Sequence, residues 1–422
     1  MNGEFEIGLL GERRVLSEVE IPAFLDEDAG VVLDATVSAR NPLRSDRVVL
    51  ELAGPRRELF FRPSASRAAI VTCGGLCPGL NDVIRALTMV LWYRYGVREI
   101  LGLRYGFEGV VESFGHAPMA LEPEKVEDIH KNGGTILGSS RGPQDVGAMA
   151  DFLAARRIDM LFTVGGDGTQ RGALELSREL ARRGLPIAVL GIPKTIDNDI
   201  AYTERTFGFE TAVAMSEMPI EGAHTESKGV RNGVGLVKLM GRESGYVAAS
   251  AALASSDVNL VLVPEVPFAL KNVLKFLEDR MVRKSHAVIV VAEGAGQDIV
   301  ASLGIDRSGN RLLGDIGIYL KEQITAYFKK ANMPVNVRYI DPSYIIRSAP
   351  ANADDSVFCF QLSELAVHAA MTGRTAMVVG FLNGHFVHVP MAKAVESRKR
   401  IDPKGLLWQS VLENTGQPVS LV

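Results

Sequence analysis

The chain has 422 residues, 47% of them hydrophobic and 23% charged, with a formal net charge of −4. That length allows two domains or more, the composition is that of an ordinary soluble globular protein, and the acidic balance excludes an overall basic field for nucleic acid. No apolar run is long enough to span a bilayer, and the opening MNGEFEIGLLGERR lacks the basic-then-apolar order of a secretory signal.

The three cysteines are Cys73, Cys77 and Cys359. An odd and small number suits a reducing cytoplasm. Cys73 and Cys77 have a zinc-like spacing, but no second Cys or His pair follows, so they read as small loop-lining residues.

Residues 1 to about 66 stand apart, acidic early and basic late, with Val31–Leu33 and Val48–Leu52 as apolar anchors. They read as an appended segment with short strands at best. Ala68–Thr72 is the first core strand and breaks into Cys73-Gly74-Gly75-Leu76-Cys77-Pro78-Gly79-Leu80-Asn81. A helix over 82–95 follows, with Val83, Leu87, Val90 and Leu91 on one face. Arg98–Leu103 is a second strand. The loop His130–Gly142, HKNGGTILGSSRG, is rich in Gly and Ser and carries Arg141 and Gly142.

The central stretch, Met160–Ile200, holds two strand-to-helix switches in about forty residues. Met160–Val164 breaks into Gly165-Gly166-Asp167-Gly168-Thr169; Ile187–Ile192 breaks into Pro193-Lys194-Thr195-Ile196-Asp197-Asn198-Asp199. Apolar runs of this length followed by glycine and a helix predict buried parallel strands. Their loops then lie at the carboxyl ends of the strands, where open α/β sheets place ligands. The second half repeats the logic. Val234–Leu239 ends in Met240-Gly241-Arg242-Glu243-Ser244-Gly245-Tyr246, while Val258–Val263 and Ala287–Ala292, the latter followed by Glu293, complete a second parallel sheet. Asn336–Ala349 carries Arg338, Tyr344 and Arg347, 352–371 reads as a helix, and Ala376–Phe381 with His385–Val389 reads as a hairpin. The basic run 393–404 reads first as a solvated surface, with an interface or an effector site as the alternatives.

Three carboxylates (Asp167, Asp197, Asp199) and the amine of Lys194 in such loops suggest phosphoryl transfer. Glycines let backbone approach phosphate, and the following helix start faces the anion. An Asp beside phosphate makes sense when Mg²⁺ stands between them. Asp197 and Asp199, two apart, suit one carboxylate turned to a hydroxyl and one to metal. Either loop alone would read as a capped turn; the two at successive strand ends point to function.

GGLCPGLN, GGDGT, PKTIDND and MGRESGY, in that order between about Ile70 and Gly384, resemble the 6-phosphofructokinases. The lipid and NAD kinases share only GGDGT. The resemblance implies an α/β fold of two Rossmann-like lobes with parallel-rich sheets plus an N-terminal extension. It implies the extension at 1–67, a donor-nucleotide lobe at 68–209 plus about 350–385, and a sugar-phosphate lobe at 210–349 plus about 386–422. It implies Asp197 as general base, with Lys194 and Thr195 beside it. It implies Gly74, Arg141, Gly142, Gly166, Asp167, Gly168 and Thr169 at the donor, and Mg²⁺ on Asp167 and Asp199. Fructose 6-phosphate would meet Thr195, Asp197, Met240, Gly241, Arg242, Glu293, Arg338, Tyr344 and Arg347. Two arginines within ten residues of each other suit a phosphate dianion, because the guanidinium fork matches phosphate oxygens.

The family divides by donor, ATP or pyrophosphate. Gly168 stands where pyrophosphate users usually carry Asp, which leaves room for an α-phosphate; Lys194 stands where pyrophosphate users also have Lys. This mixed pair is similar to the ATP-dependent branch that includes trypanosomal and plant forms, so ATP is the expected donor. A pyrophosphate-dependent enzyme and a non-catalytic sugar-phosphate-binding subunit are the alternatives. Gly168 is also expected to have backbone angles that glycine tolerates best. A cytoplasmic homo-oligomer, dimer or tetramer, completes the expectation, with neither nucleic acid nor membrane as partner.

Overall fold

The apolar runs at Arg67–Thr72, Met160–Gly165 and Ala188–Pro193 are buried along almost their whole length, as strands covered on both faces must be. The computed structural model describes residues 3–38, 47–300, 304 and 312–422. The chain divides into two units. The first comprises Met1–Thr195, Ile200–Gly208 and Ala349–Arg398; the second comprises Ile196–Asp199, Phe209–Ser348 and Lys399–Val422.

The first unit is built on a nine-stranded sheet. Its order is Gly30–Val32, Val49–Leu52, His385–Pro390, Met377–Leu382, Ala188–Pro193, Met160–Gly165, Arg67–Thr72, Glu99–Leu103 and Met119–Ala120. The five strands from Met377–Leu382 to Glu99–Leu103 run parallel; each flanking strand pairs antiparallel with its inner neighbour. Val164 stands level with both Thr72 and Ile192, so the loops beginning at Cys73, Gly166 and Lys194 open side by side. The helix Asp167–Arg182 follows the second of these loops and buries Ala173, Leu176 and Leu180 at helical spacing.

Three expectations are corrected in this unit. The helix foreseen over 82–95 is α-helical only over Leu80–Met89 and continues as π-helical turns over Val90–Arg94. The N-terminal segment has only short strands, as expected, but two of them extend the sheet rather than lie over it: Val49–Leu52 pairs with His385–Pro390 and Gly30–Val32 pairs with Val49–Leu52. Residues 386–398, foreseen with the sugar lobe, belong here because the hairpin strand His385–Pro390 pairs along its length with Met377–Leu382.

A buried knot of charge ties the N-terminal segment to Arg374 and His388. Arg374 Nε donates to Glu51 Oε1 at 2.6 Å and Arg374 Nη1 to the Thr372 hydroxyl at 2.7 Å. Arg56 reaches Glu51 at 3.4 Å and donates to the carbonyl of Leu52 at 2.8 Å. His388 Nδ1 lies 3.2 Å from Glu51. Burial alone would raise the Glu51 carboxyl; the bonds from His388 and Arg374 hold it down at about 2. Burial pushes His388 down, so near pH 7 it is a neutral hydrogen-bond partner.

The second unit has a four-stranded, wholly parallel sheet in the order Leu260–Leu262, His286–Ala292, Gly233–Leu239, Asn336–Ile340. Phe209–Lys228, Tyr246–Ser255, Leu270–Lys284 and Ile316–Lys330 are its long helices. Leu421 closes the unit by accepting a hydrogen bond from the Ala269 amide at 2.7 Å. Among the described residues no helix is long and apolar enough to cross a membrane.

Candidate active site

Each unit carries one group of the predicted residues at the carboxyl ends of its strands. In the first unit, Gly74 adopts a left-handed φ of 85° and its amide donates to Ser140 O at 3.0 Å. Ser139 Oγ donates back to Gly74 O at 2.6 Å, zipping the 130–142 loop to the Gly74 turn. Lys194 is buried, and its ammonium donates to the Gly75 carbonyl. A methyl group on Gly74 would stand 3.2 Å from Lys194 Nζ, and one on Gly75 3.2 Å from Arg141 Nη2. Two cations therefore flank a bare backbone turn, beside a groove of ≈ 640 Å³ lined by Gly133, Gly134, Ser139 and Arg141 among others. Gly142 follows with a φ of 100°.

Gly166 caps the helix Asp167–Arg182 by accepting from the amides of Thr169 and Gln170, both at 3.0 Å. Asp167 is the first helical residue, where a carboxylate complements the helix dipole. Arg171 Nε lies 3.1 Å and Arg398 Nη2 3.5 Å from Asp167 Oδ2. So Arg398, in the run read as a solvated surface, is spent on this carboxylate. Gly168 is the second residue of the helix, does not adopt a positive φ, and a methyl group there would meet nothing within 4 Å. The expectation that Gly168 needs glycine's backbone freedom is thus corrected: helical geometry suits any side chain at that point. Thr195 accepts from the Thr206 hydroxyl at 2.7 Å through its carbonyl.

In the second unit, Asp197 opens the turn Asp197-Asn198-Asp199, in which Asn198 takes a left-handed φ of 53°. The Arg242 amide donates to Asp197 Oδ2 at 3.3 Å, and Ser244 Oγ donates to Asp197 O at 3.0 Å. Gly241 and Arg242 press against the next strand end so closely that a methyl group on Gly294 would stand 1.9 Å from Arg242 O. The Gly294 amide donates to Gly241 O at 2.9 Å. Parallel register, Leu239 beside Ala292, is what brings Met240, Gly241 and Arg242 next to Glu293. Arg347 ends the short helix Ser343–Arg347 and lies 4.0 Å from Glu293 Oε1.

Asp197 keeps some solvent access but is densely surrounded by protein. Burial raises its carboxyl to about 7, with Asp199 and Glu293 adding to the rise and the Arg242 amide and Arg347 opposing it. A carboxyl poised there can exchange a proton near neutral pH. Tyr344 is 82% exposed on its short helix. Arg338 stands apart from this cluster: it is mid-strand, level with Gly235, and pairs with Glu226 at 3.8 Å.

Several site residues escaped sequence reasoning. Buried Gln170 donates to Gly165 O at 3.0 Å and reaches Ile192 O at 3.5 Å, stapling two strand ends. Glu265 accepts the Gly245 amide at 3.0 Å and the Ile401 amide at 2.9 Å. Only the polar residue next to GGDGT hinted at the first. Burial pushes the Cys73 thiol up to about 12, which makes it a packing group rather than a nucleophile.

Among the described residues, no three His, Cys, Asp or Glu gather to hold a metal alone. Asp167 offers one hard oxygen donor set at a helix start that favours anions. That fits Mg²⁺, which is usually bound by one or two carboxylates together with phosphate oxygens. Asp199, in the second unit, is buried beside Asp197.

The phosphofructokinase family matches residues 67–370. The chain is 48% identical to the ATP-dependent 6-phosphofructokinase of Borreliella burgdorferi over 90% of this chain and 89% of that one. It is 47% identical to that of Amycolatopsis methanolica over 98% and 95%, and 46% identical to that of Trypanosoma brucei brucei over 90% and 78%. In fold it is similar to the pyrophosphate-dependent phosphofructokinase of Marinobacter aquaeolei, with a TM-score of 0.69 at 19% identity over 83% of this chain and 91% of that one. The chain belongs to the phosphofructokinase family.

Proposed function

We infer that this chain transfers the γ-phosphoryl group of ATP to the 1-hydroxyl of fructose 6-phosphate, giving ADP and fructose 1,6-bisphosphate, a step of glycolysis. The observation that carries the reading is Asp197: a carboxyl poised at about 7, fixed by the Arg242 amide, with Arg347 acting on it across the same cluster. Asp197 takes the proton of the attacking hydroxyl, and the rise in its pKa makes the carboxylate basic enough to do so. Arg242 and Arg347 bind the 6-phosphate, and Glu293 accepts from sugar hydroxyls. Lys194, Arg141 and the Gly74–Gly75 backbone bear on the donor phosphates, so their charge is neutralised by preorganised groups. Asp167, with Asp199 as a second carboxylate, would hold Mg²⁺, which when bound would supply charge neutralisation on the donor's phosphate oxygens.

The open space at Gly168 supports ATP over pyrophosphate, since nothing there obstructs a longer donor. Purified protein with Mg²⁺ and fructose 6-phosphate, offered ATP and pyrophosphate in parallel, tests this; turnover with pyrophosphate alone would make Lys194 the informative position. The three cysteines, all buried and none in a disulfide, support a reducing compartment such as the cytoplasm. Val357 and Phe360, both exposed one turn apart on the helix Ala353–Met371, support an assembly of identical copies, dimer or tetramer, which light scattering reads directly.

A further inference from the structure

The reaction as proposed leaves Lys238 without a role, yet its ammonium is held between two carboxylates. It is the next-to-last residue of the Gly233–Leu239 strand, and its side chain is 12% exposed. Its ammonium donates to Asp315 Oδ2 at 2.7 Å and lies 3.0 Å from Asp341 Oδ2. Asp341 uses its other oxygen to accept from the Ser343 amide at 3.1 Å and the Ser343 hydroxyl at 2.5 Å. Asp315 caps the helix Ile316–Lys330 through the Ile318 amide at 3.0 Å and accepts from the Tyr339 hydroxyl at 3.0 Å. The Tyr339 ring lies flush on that helix, for a methyl group on Gly317 would stand 2.3 Å from it.

Ser343 is the first residue of the five-residue helix that ends at Arg347. A helix this short does not hold itself, because nucleation costs more than one turn of hydrogen bonds returns. Buried Ile346 anchors its middle, and its first residue is tethered by Asp341, which has Lys238 as its counter-ion. Without the ammonium, Asp315 and Asp341 would be two carboxylates sharing one partly buried place, and mutual repulsion would draw Asp341 away from Ser343. We propose that Lys238, acting through Asp341, is a positioning residue for Arg347 and so for the phosphate end of fructose 6-phosphate. This rests on the reading of Arg347 given above.

The test is steady-state kinetics of the full chain with Lys238→Met, Lys238→Arg, Arg347→Ala and the double variant Lys238→Met/Arg347→Ala. Lys238→Met is expected to raise KM for fructose 6-phosphate about 5- to 20-fold, as loss of a well-placed charged contact would, and to leave KM for ATP nearly unchanged. Lys238→Arg should restore most of the loss. The double variant should bind the sugar phosphate no worse than Arg347→Ala, since a residue that acts through another adds nothing once that residue is gone. The proposal is overturned if Lys238→Met raises both KM values alike, or if its effect multiplies with that of Arg347→Ala. Should Arg347→Ala leave KM for fructose 6-phosphate unchanged, the reading of Arg347 fails and takes this one with it. Should Arg347→Ala act and Lys238→Met not, the positioning role alone fails. If Lys238→Met does not fold, Asp341→Asn carries the same expectations in the same assay.

Discussion

Replacing Asp197 by Asn should cost activity and increase stability at once, and the two effects share one cause. The environment that makes Asp197 a competent base lifts its carboxyl from 3.8 to about 7. A shift of that size corresponds to about 4 kcal/mol against ionisation in the folded state; because Asp197 keeps some solvent access, this is an upper bound. The sign follows from proton binding. Well below pH 3.8 the group is protonated in both folded and unfolded chains and contributes nothing. Between 4 and 7 the unfolded chain ionises while the folded one holds its proton, so stability falls as pH rises, and above about 7 the whole penalty is present. Asn does not titrate. In metal-free protein, Asp197→Asn should therefore melt several degrees above the parent at pH 8, with the gap closing towards pH 4. In the complete assay, kcat should fall about 10²–10⁴-fold, the usual worth of general-base catalysis. A variant that keeps kcat within a few-fold, or that melts below the parent at pH 8, would refute both the base and the physical account of its pKa.

Arg347→Ala should raise KM for fructose 6-phosphate about 10- to 100-fold through loss of a charge-assisted contact, and equal rises in both KM values would assign Arg347 to the fold. Gly168→Asp should abolish use of ATP by adding a carboxylate where the donor's phosphates pass, whereas Gly168→Ala, placed in open space on a helix, should retain most activity and full thermal stability; an Ala variant as impaired as the Asp one would show that bulk and not charge decides. Glu51→Gln should destabilise the first unit by about 3 kcal/mol or more, since it leaves Arg56 and Arg374 short of their buried counter-charge. Glu51 has its carboxyl held at about 2, so its contribution is present above about 4.5 and lost as pH falls through 2; the melting difference between parent and variant should vanish in that acid range.

What could be read in advance was what depends on local sequence. Met160–Gly165 and Ala188–Pro193 announce themselves because a strand buried on both faces needs an unbroken apolar run. The loops after them are marked by glycine, and the position of those loops follows from parallel register. Glu293 and Arg242 were each identifiable as strand-end residues, but their mutual approach depends on the pairing of Leu239 with Ala292, which no short stretch encodes. Gln170, Glu265 and Lys238 act through partners distant in sequence, and a single polar residue in an otherwise ordinary segment carries no mark of them. Gly168 shows the converse error: a glycine in a glycine-rich loop suggests special backbone angles, while this one already lies on the helix.

The N-terminal strands have a protective consequence. The His385–Pro390 strand is flanked on one side by Met377–Leu382 and on the other by Val49–Leu52, with His388 level with Glu51. Delete residues up to 66, and its outer row of amides and carbonyls is left bare beside Arg374, which has lost its buried carboxylate. An unpaired strand with a row of open hydrogen-bonding groups is a template for another chain. The shortened protein is expected to self-associate in the manner of aggregating sheet proteins, which static light scattering against concentration would detect. The segment that looks most like an appendage is in this sense the guard of the sheet.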